Sequence, residues 1–133
     1  MVYNCKIEKY KNMFWVQFPD MTNIQTYGNT LEEALTMAKE ALDGCLEVDI
    51  SQGHTLPDAK YKKGYPITVS SHIVLSYRLR ELRGEQSQSE IAQKLGLSYQ
   101  AYQRLENPRK ANPTVKTLEK IAHVYGRKLN ISI

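Results

Sequence analysis

Between Ser87 and about Glu106 the chain writes two helices, each too short to stand alone, on either side of a very tight turn. Ser87-Gln88-Ser89-Glu90 is a capping box, in which the Ser87 hydroxyl satisfies an orphan N–H and Glu90 reaches back to the cap. Ile91, Ala92 and Leu95 follow at helical spacing, and Gly96 stops the helix. Ser98 caps the next helix, which runs from Tyr99 to about Glu106 and buries Tyr102 and Leu105. Isolated helices of this length do not persist in water, so packing must hold the pair. Ala92 sits where the helices cross and only a small side chain fits; Ile91, Leu95, Leu97, Tyr102 and Leu105 form the wedge that fixes the angle.

The flanking segments complete an all-helical region. A helix over Ser71–Arg83 carries Leu75, Leu79 and Leu82 on one stripe and ends at Gly84, with Arg78, Arg80 and Arg83 favourably placed near its negative end. After a loop containing Pro108, Arg109 and Lys110, either Asn112 or Thr114 caps a further helix with Val115, Leu118, Ile121, Ala122 and Tyr125 inward and Gly126 as its stop. Two short helices joined by a Gly-containing turn form a helix-turn-helix unit. An ordinary helical hairpin is the plainer alternative. Against it, the exposed face of the second helix is not acidic: it offers Tyr99, Gln100, Gln103 and Arg104, all able to touch bases or phosphates, and Arg109, Lys110 and Lys116 lie nearby. These features predict binding to double-stranded DNA.

Charge divides the same way. Residues 1–70 hold seven Lys and no Arg against nine acidic residues, a net of −2, whereas residues 71–133 hold five Lys and six Arg against five Glu, a net of +6. All the arginine, the side chain suited to phosphate and guanine, is in the second half. Nucleic acid is therefore expected at one half and another partner at the other. No apolar run reaches the ~18–20 residues needed to span a bilayer, and no signal-peptide pattern is visible at Met1–Lys6. Cys5 and Cys45 each lie within an apolar pattern and read as reduced core residues, so a cytoplasmic location is expected.

The first half changes period. Tyr3, Cys5 and Ile7 alternate with polar residues as in a strand, a polar turn covers Lys9–Asn12, and Phe14, Val16 and Phe18 form a second strand that Pro19-Asp20 ends. Ile24–Tyr27 supplies a third, ending at Gly28-Asn29. Thr30 and Glu33 make a capping box for a helix with Leu31, Ala34, Leu35, Ala38, Leu42, Cys45 and Leu46 on one face, fading near Asp49. Ser51–Pro66 reads as a linker, and Ile67-Thr68-Val69 as one more possible strand. One helix covers one face of a small antiparallel sheet, leaving Met13, Trp15 and Gln17 on the other. An exposed Trp is a candidate protein-binding anchor; cover by the linker or by the second domain is the alternative.

Two resemblances accompany these readings. Phe14-Trp15-Val16-Gln17-Phe18-Pro19-Asp20, Tyr27-Gly28-Asn29-Thr30-Leu31-Glu32-Glu33-Ala34 and Ala38-Lys39-Glu40-Ala41-Leu42 resemble the N-terminal domain of HicB antitoxins. The run from Leu82 to Ser98, Leu105-Glu106-Asn107, and Asn112-Pro113-Thr114 with Leu118, Ile121-Ala122 and Gly126 resemble Xre/Cro-type repressors, with Pro108 standing where many members have Gly. The first resemblance implies a partial ribonuclease-H-like α+β domain over residues 1–50 that blocks a small HicA-like, mRNA-cleaving toxin. Trp15, Gln17 and Asp20 are its candidate contacts, and an acidic, Trp-bearing domain suits a basic toxin surface. The second implies a DNA-binding domain over 71–126, with 51–70 between them. There Gln88 touches a phosphate, and Ser98, Tyr99, Gln100, Gln103 and Arg104 face the major groove. Asn107, Arg109 and Lys110 hold backbone.

From Arg127 to Ile133 the period changes once more. Leu129, Ile131 and Ile133 alternate with Lys128, Asn130 and Ser132, so a short strand is expected after the helices. Its ladder partner is its twin in a second subunit, giving a homodimer or higher oligomer suited to a palindromic site, or else an edge of the N-terminal sheet. The three histidines, His54, His72 and His123, make no metal-ligand spacing with cysteine, and no catalytic motif or cofactor loop is present. Metal-dependent nuclease chemistry needs converging carboxylates. The first strand offers only Glu8 near its end, and Glu32, Glu33, Glu40 and Asp43 read as a solvated helix face. The chain is expected to be an antitoxin and repressor of its own operon, without enzymatic activity. The competing expectation is a stand-alone regulator whose first domain senses a ligand or a protein.

Overall fold

The computed structural model describes residues 1–133. The chain divides into two compact units, Met1–Ile73 and Val74–Ile133. In the first, β1 (Val2–Tyr10), β2 (Met13–Phe18) and β3 (Met21–Gly28) form an antiparallel meander, α1 (Leu31–Ser51) follows, and β4 (Tyr65–Thr68) returns antiparallel to β1. The sheet order is β3-β2-β1-β4. The turn between β1 and β2 has only Lys11 and Asn12, both with positive φ (51° and 62°), the mirror-image geometry whose twist matches the flanking strands.

Alternation decides which face is covered. Tyr3, Cys5, Val16, Phe18, Met21 and Ile24 are buried, and α1 lays Ala34, Ala38, Leu42, Leu46 and Ile50 against them at intervals of one turn. This stripe continues through Ile50, so α1 runs past Asp49, where the sequence suggests it fades. The Thr30 hydroxyl accepts the Glu33 N–H at 3.1 Å, as the capping box requires. Just before it, a Cβ at Gly28 would run into the Ala34 backbone, which explains why the chain needs glycine where β3 hands over to α1.

Residues 51–70 do not behave as a free linker. Leu56, Ile67 and Val69 are buried, the Tyr3 hydroxyl donates to the Pro57 carbonyl at 2.6 Å, and Asn4 donates to the Lys63 carbonyl at 2.7 Å. Pro and Gly interrupt any period here, so burial of isolated apolar residues leaves no pattern to read. Asp43 is likewise more than a solvated charge: its carboxylate accepts the Ser70 N–H and hydroxyl, while Lys39 donates to the Thr68 carbonyl, pinning the end of β4 to α1.

Beyond β4 run α2 (Ser71–Arg83), α3 (Gln88–Leu95), α4 (Tyr99–Leu105) and α5 (Val115–Val124), the last capped by Thr114. The second unit's core is Leu79, Ile91, Ala92, Leu95, Tyr102, Leu105 and Ile121. The strand expected over 127–133 is not formed within the chain, and neither edge of the N-terminal sheet takes up the tail. A strand exists only through its ladder, and the single chain offers this segment no partner.

Candidate functional site

Helix α4 is presented by its own termini and by α3. At the end of α3, Gly96 adopts φ 68°, and the Leu97 N–H reaches back to the Ala92 carbonyl at 2.9 Å, the bond that closes a helix and turns the chain sharply. Ser98 then caps α4 by accepting the Ala101 N–H at 3.1 Å. With Tyr102 and Leu105 buried, the opposite face carries Tyr99, Gln100, Gln103 and Arg104, all exposed. Gln103 donates to the Tyr99 hydroxyl at 2.9 Å, one turn away, so those two side chains are already ordered relative to each other.

A charged network that sequence reading missed supports the far end of α4. Arg83 meets Glu106 through two parallel bonds, Nε to Oε2 at 2.7 Å and Nη2 to Oε1 at 2.9 Å, and also donates to the Gln86 carbonyl. This fork-to-fork geometry is the strongest form of such a pair. Gln88, expected at a phosphate, is half-buried and donates to Glu106 at 3.3 Å, so in the chain it completes this network. Burial alone would raise the Glu106 carboxyl, but the Arg83 guanidinium, with help from Tyr102 and Gln88, holds it below the usual glutamate range. Burial and this carboxylate push the Tyr102 phenol far upward, so it stays protonated. Past the network, the Asn107 side chain accepts the Arg109 N–H at 3.0 Å, and Pro108 is fully buried on this loop. Arg109 and Lys110 lie exposed on that loop.

In the first unit the sheet face away from α1 is open. Register places Glu8, Trp15 and Tyr27 in one row across β1, β2 and β3, and Lys6, Gln17 and Gln25 in the next. Trp15 is 43% exposed and Tyr27 48%, with ring centroids 5.2 Å apart, and the Trp15 indole N–H points to the Tyr10 carbonyl at 3.3 Å. Gln17 is exposed beside them. Asp20 is different: both its carboxylate oxygens accept the Tyr61 N–H, so it fastens the 60–64 segment to the sheet.

Comparison with known proteins matches both units. A family model described as HicB-like antitoxin of bacterial toxin–antitoxin systems covers residues 3–75, and a helix-turn-helix model covers residues 79–131. The first spans more than half of the chain. The chain belongs to the HicB-like antitoxin family. Among curated relatives, Antitoxin HicB 1 of Photorhabdus laumondii subsp. laumondii is 29% identical over 124 residues, covering 90% of this chain and 78% of that protein. Antitoxin HicB 2 of the same organism is 29% identical over 109 residues, covering 79% and 77% respectively. This is thus a HicB-like antitoxin with a C-terminal DNA-binding helix-turn-helix, and its α+β and helical parts are those the sequence implied.

The structure of this HicB-like antitoxin corrects one expectation about charge. The N-terminal unit is not an acidic surface bearing a Trp. Six of the nine acidic residues in 1–70 (Glu32, Glu33, Glu40, Asp43, Glu47, Asp49) lie on α1, where Lys39 is the one basic residue. The remaining six lysines lie in the β1–β2 hairpin and the 60–63 segment. Alternation puts Trp15 on the face opposite α1, so acid and aromatic point to opposite sides. No helix in the chain is long and apolar enough to cross a membrane.

Proposed function

We propose that this antitoxin binds and neutralises a small HicA-like mRNA-cleaving toxin through its N-terminal unit, and represses its own operon through its helix-turn-helix. The observation that carries the reading is the presence, in one chain, of a HicB-like unit and of α4 with Tyr99, Gln100, Gln103 and Arg104 turned outward. A recognition helix reads base edges with its first turns, where glutamine pairs with adenine and arginine with guanine. Ser98, Gln88, Asn107, Arg109 and Lys110 border this face and fit a backbone-holding rim, with Gln88 and Asn107 acting partly through the contacts that order them. The tail residues Leu129, Ile131 and Ile133 supply a strand to a second copy, giving the two-fold symmetry of a palindromic operator.

For the toxin, Trp15 and Gln17 are the proposed contacts; Asp20 supports them by fixing the neighbouring segment. The carboxylates of α1 add long-range attraction for a basic protein. Co-expression with a small basic HicA-like toxin tests the reading. The expected result is a stable complex that restores growth, with Trp15→Ala weakening it by at least ~2 kcal/mol as a hot-spot aromatic does. Absence of any complex would leave a stand-alone regulator as the better description. An unchanged complex with Trp15→Ala, broken by charge reversal at Glu33 and Glu40, would move the contact to α1.

A further inference from the structure

We infer that the open face of the N-terminal sheet is a binding site for single-stranded RNA. Three features meet there. The Trp15–Tyr27 pair exposes two aromatic faces, and a solvent-facing aromatic pair is a stacking platform for unpaired bases. One row along the strands, ~7 Å away, Lys6, Gln17 and Gln25 line a recess of about 200 Å³ that also takes in Thr22 and Pro19. The two amides and the hydroxyl offer both donors and acceptors, suited to the edge of a base or to a 2′-hydroxyl, the group that tells RNA from DNA. Phosphate is matched by charge. The Lys6 ammonium sits 5.4 Å above the Tyr61 ring, and the Asn4 bond to the Lys63 carbonyl brings the Lys60, Lys62 and Lys63 segment along the same side of the sheet. Glu8 is the one carboxylate in the four strands.

A duplex does not suit this surface, because its bases are stacked on one another and cannot lie on Trp15. The site is inferred independently of toxin binding, although Trp15 and Gln17 are shared, so RNA and toxin would exclude each other.

Trp15 is the sole tryptophan, so its emission reports on this face. The full-length chain alone is titrated with oligouridylate, with oligothymidylate of the same length, and with a short DNA duplex. The expected result is saturable quenching by the RNA, weaker at higher salt, with affinity several-fold above the DNA strand and no quenching by the duplex. Tyr27→Ala is expected to lower RNA affinity on the order of 10-fold, and Lys6→Glu to lower it further while duplex retardation and the thermal midpoint stay as in the wild type. Absence of quenching, or Lys6→Glu binding as the wild type does, would overturn the site. Equal affinity for the two single strands would overturn the assignment to RNA. Quenching only on addition of a partner protein would make the face a protein interface instead. The toxin reading is judged by co-purification, so either can fail without the other.

Discussion

The Arg83–Glu106 pair shows how a single contact sets the geometry of the reading helix. It joins the end of α2 to the residue just past α4, 23 positions away, with the Glu106 side chain only 5% exposed. Removing one partner of a buried pair leaves the other charge stranded, which costs ~3–5 kcal/mol. Arg83→Ala strands the Glu106 carboxylate, which can shed part of that cost by taking up a proton, so a thermal melt should show a loss near the lower end of that range. The folded-state acidity of Glu106 is lowered, so its contribution is fully present above the ordinary glutamate range and is lost as pH falls through the lowered value. Chemical denaturation at several pH values should show this acid-side loss in the wild type and a flatter profile in Glu106→Gln. Such a pair has no periodic signature: Arg83 reads as a charge suited to a helix end and Glu106 as the end of a helix, and nothing along the chain joins them. Gly28 was legible as the stop of a strand, but its physical reason, the Ala34 backbone pressed against it, was not. Gly28→Ala should therefore destabilise the first unit by ~1–3 kcal/mol, as overpacking does.

At the scale of elements, caps and apolar spacing were the readable part. Thr30, Ser87 and Ser98 each accept the N–H three residues on, as their positions imply, and between Asn112 and Thr114 it is Thr114 that caps α5. Ala92 is 3% exposed in the core between α3 and its neighbours. Ala92→Leu should cost ~1–3 kcal/mol and weaken duplex binding more than stability alone accounts for, because it changes the angle at which α4 is held. Parallel thermal melts and gel-shifts separate the two effects; loss of stability with full affinity in the remaining folded protein would show that the angle tolerates repacking. Segments without a period were the unreadable part. Residues 51–70 pack through single side chains such as Leu56 and through backbone bonds. The tail alternates as a strand does, but alternation does not supply a ladder partner.

For the whole molecule, the charge difference between halves pointed correctly to two kinds of work, while the division of charge within the first half depended on which face α1 covers. Seven lysines and nine acids look like a mildly acidic domain; folded, they become an acidic helix side and a lysine-bearing side with Trp15. If the tail pairs two copies, removal of residues 127–133 should lower the sedimenting mass and weaken binding to a two-half-site operator far more than to a single half-site. Equal loss at both would place dimerisation elsewhere.

The most direct test of the central claim is dimethyl sulfate protection of guanine N7, which lies in the major groove, on the DNA upstream of the coding sequence. The wild-type chain should protect guanines at symmetric positions. Arg104→Ala should lose that protection at one position per half-site, with operator affinity lowered by ~1–3 kcal/mol. Bound DNA with fully reactive guanines and an Arg104→Ala variant of unchanged affinity would contradict it.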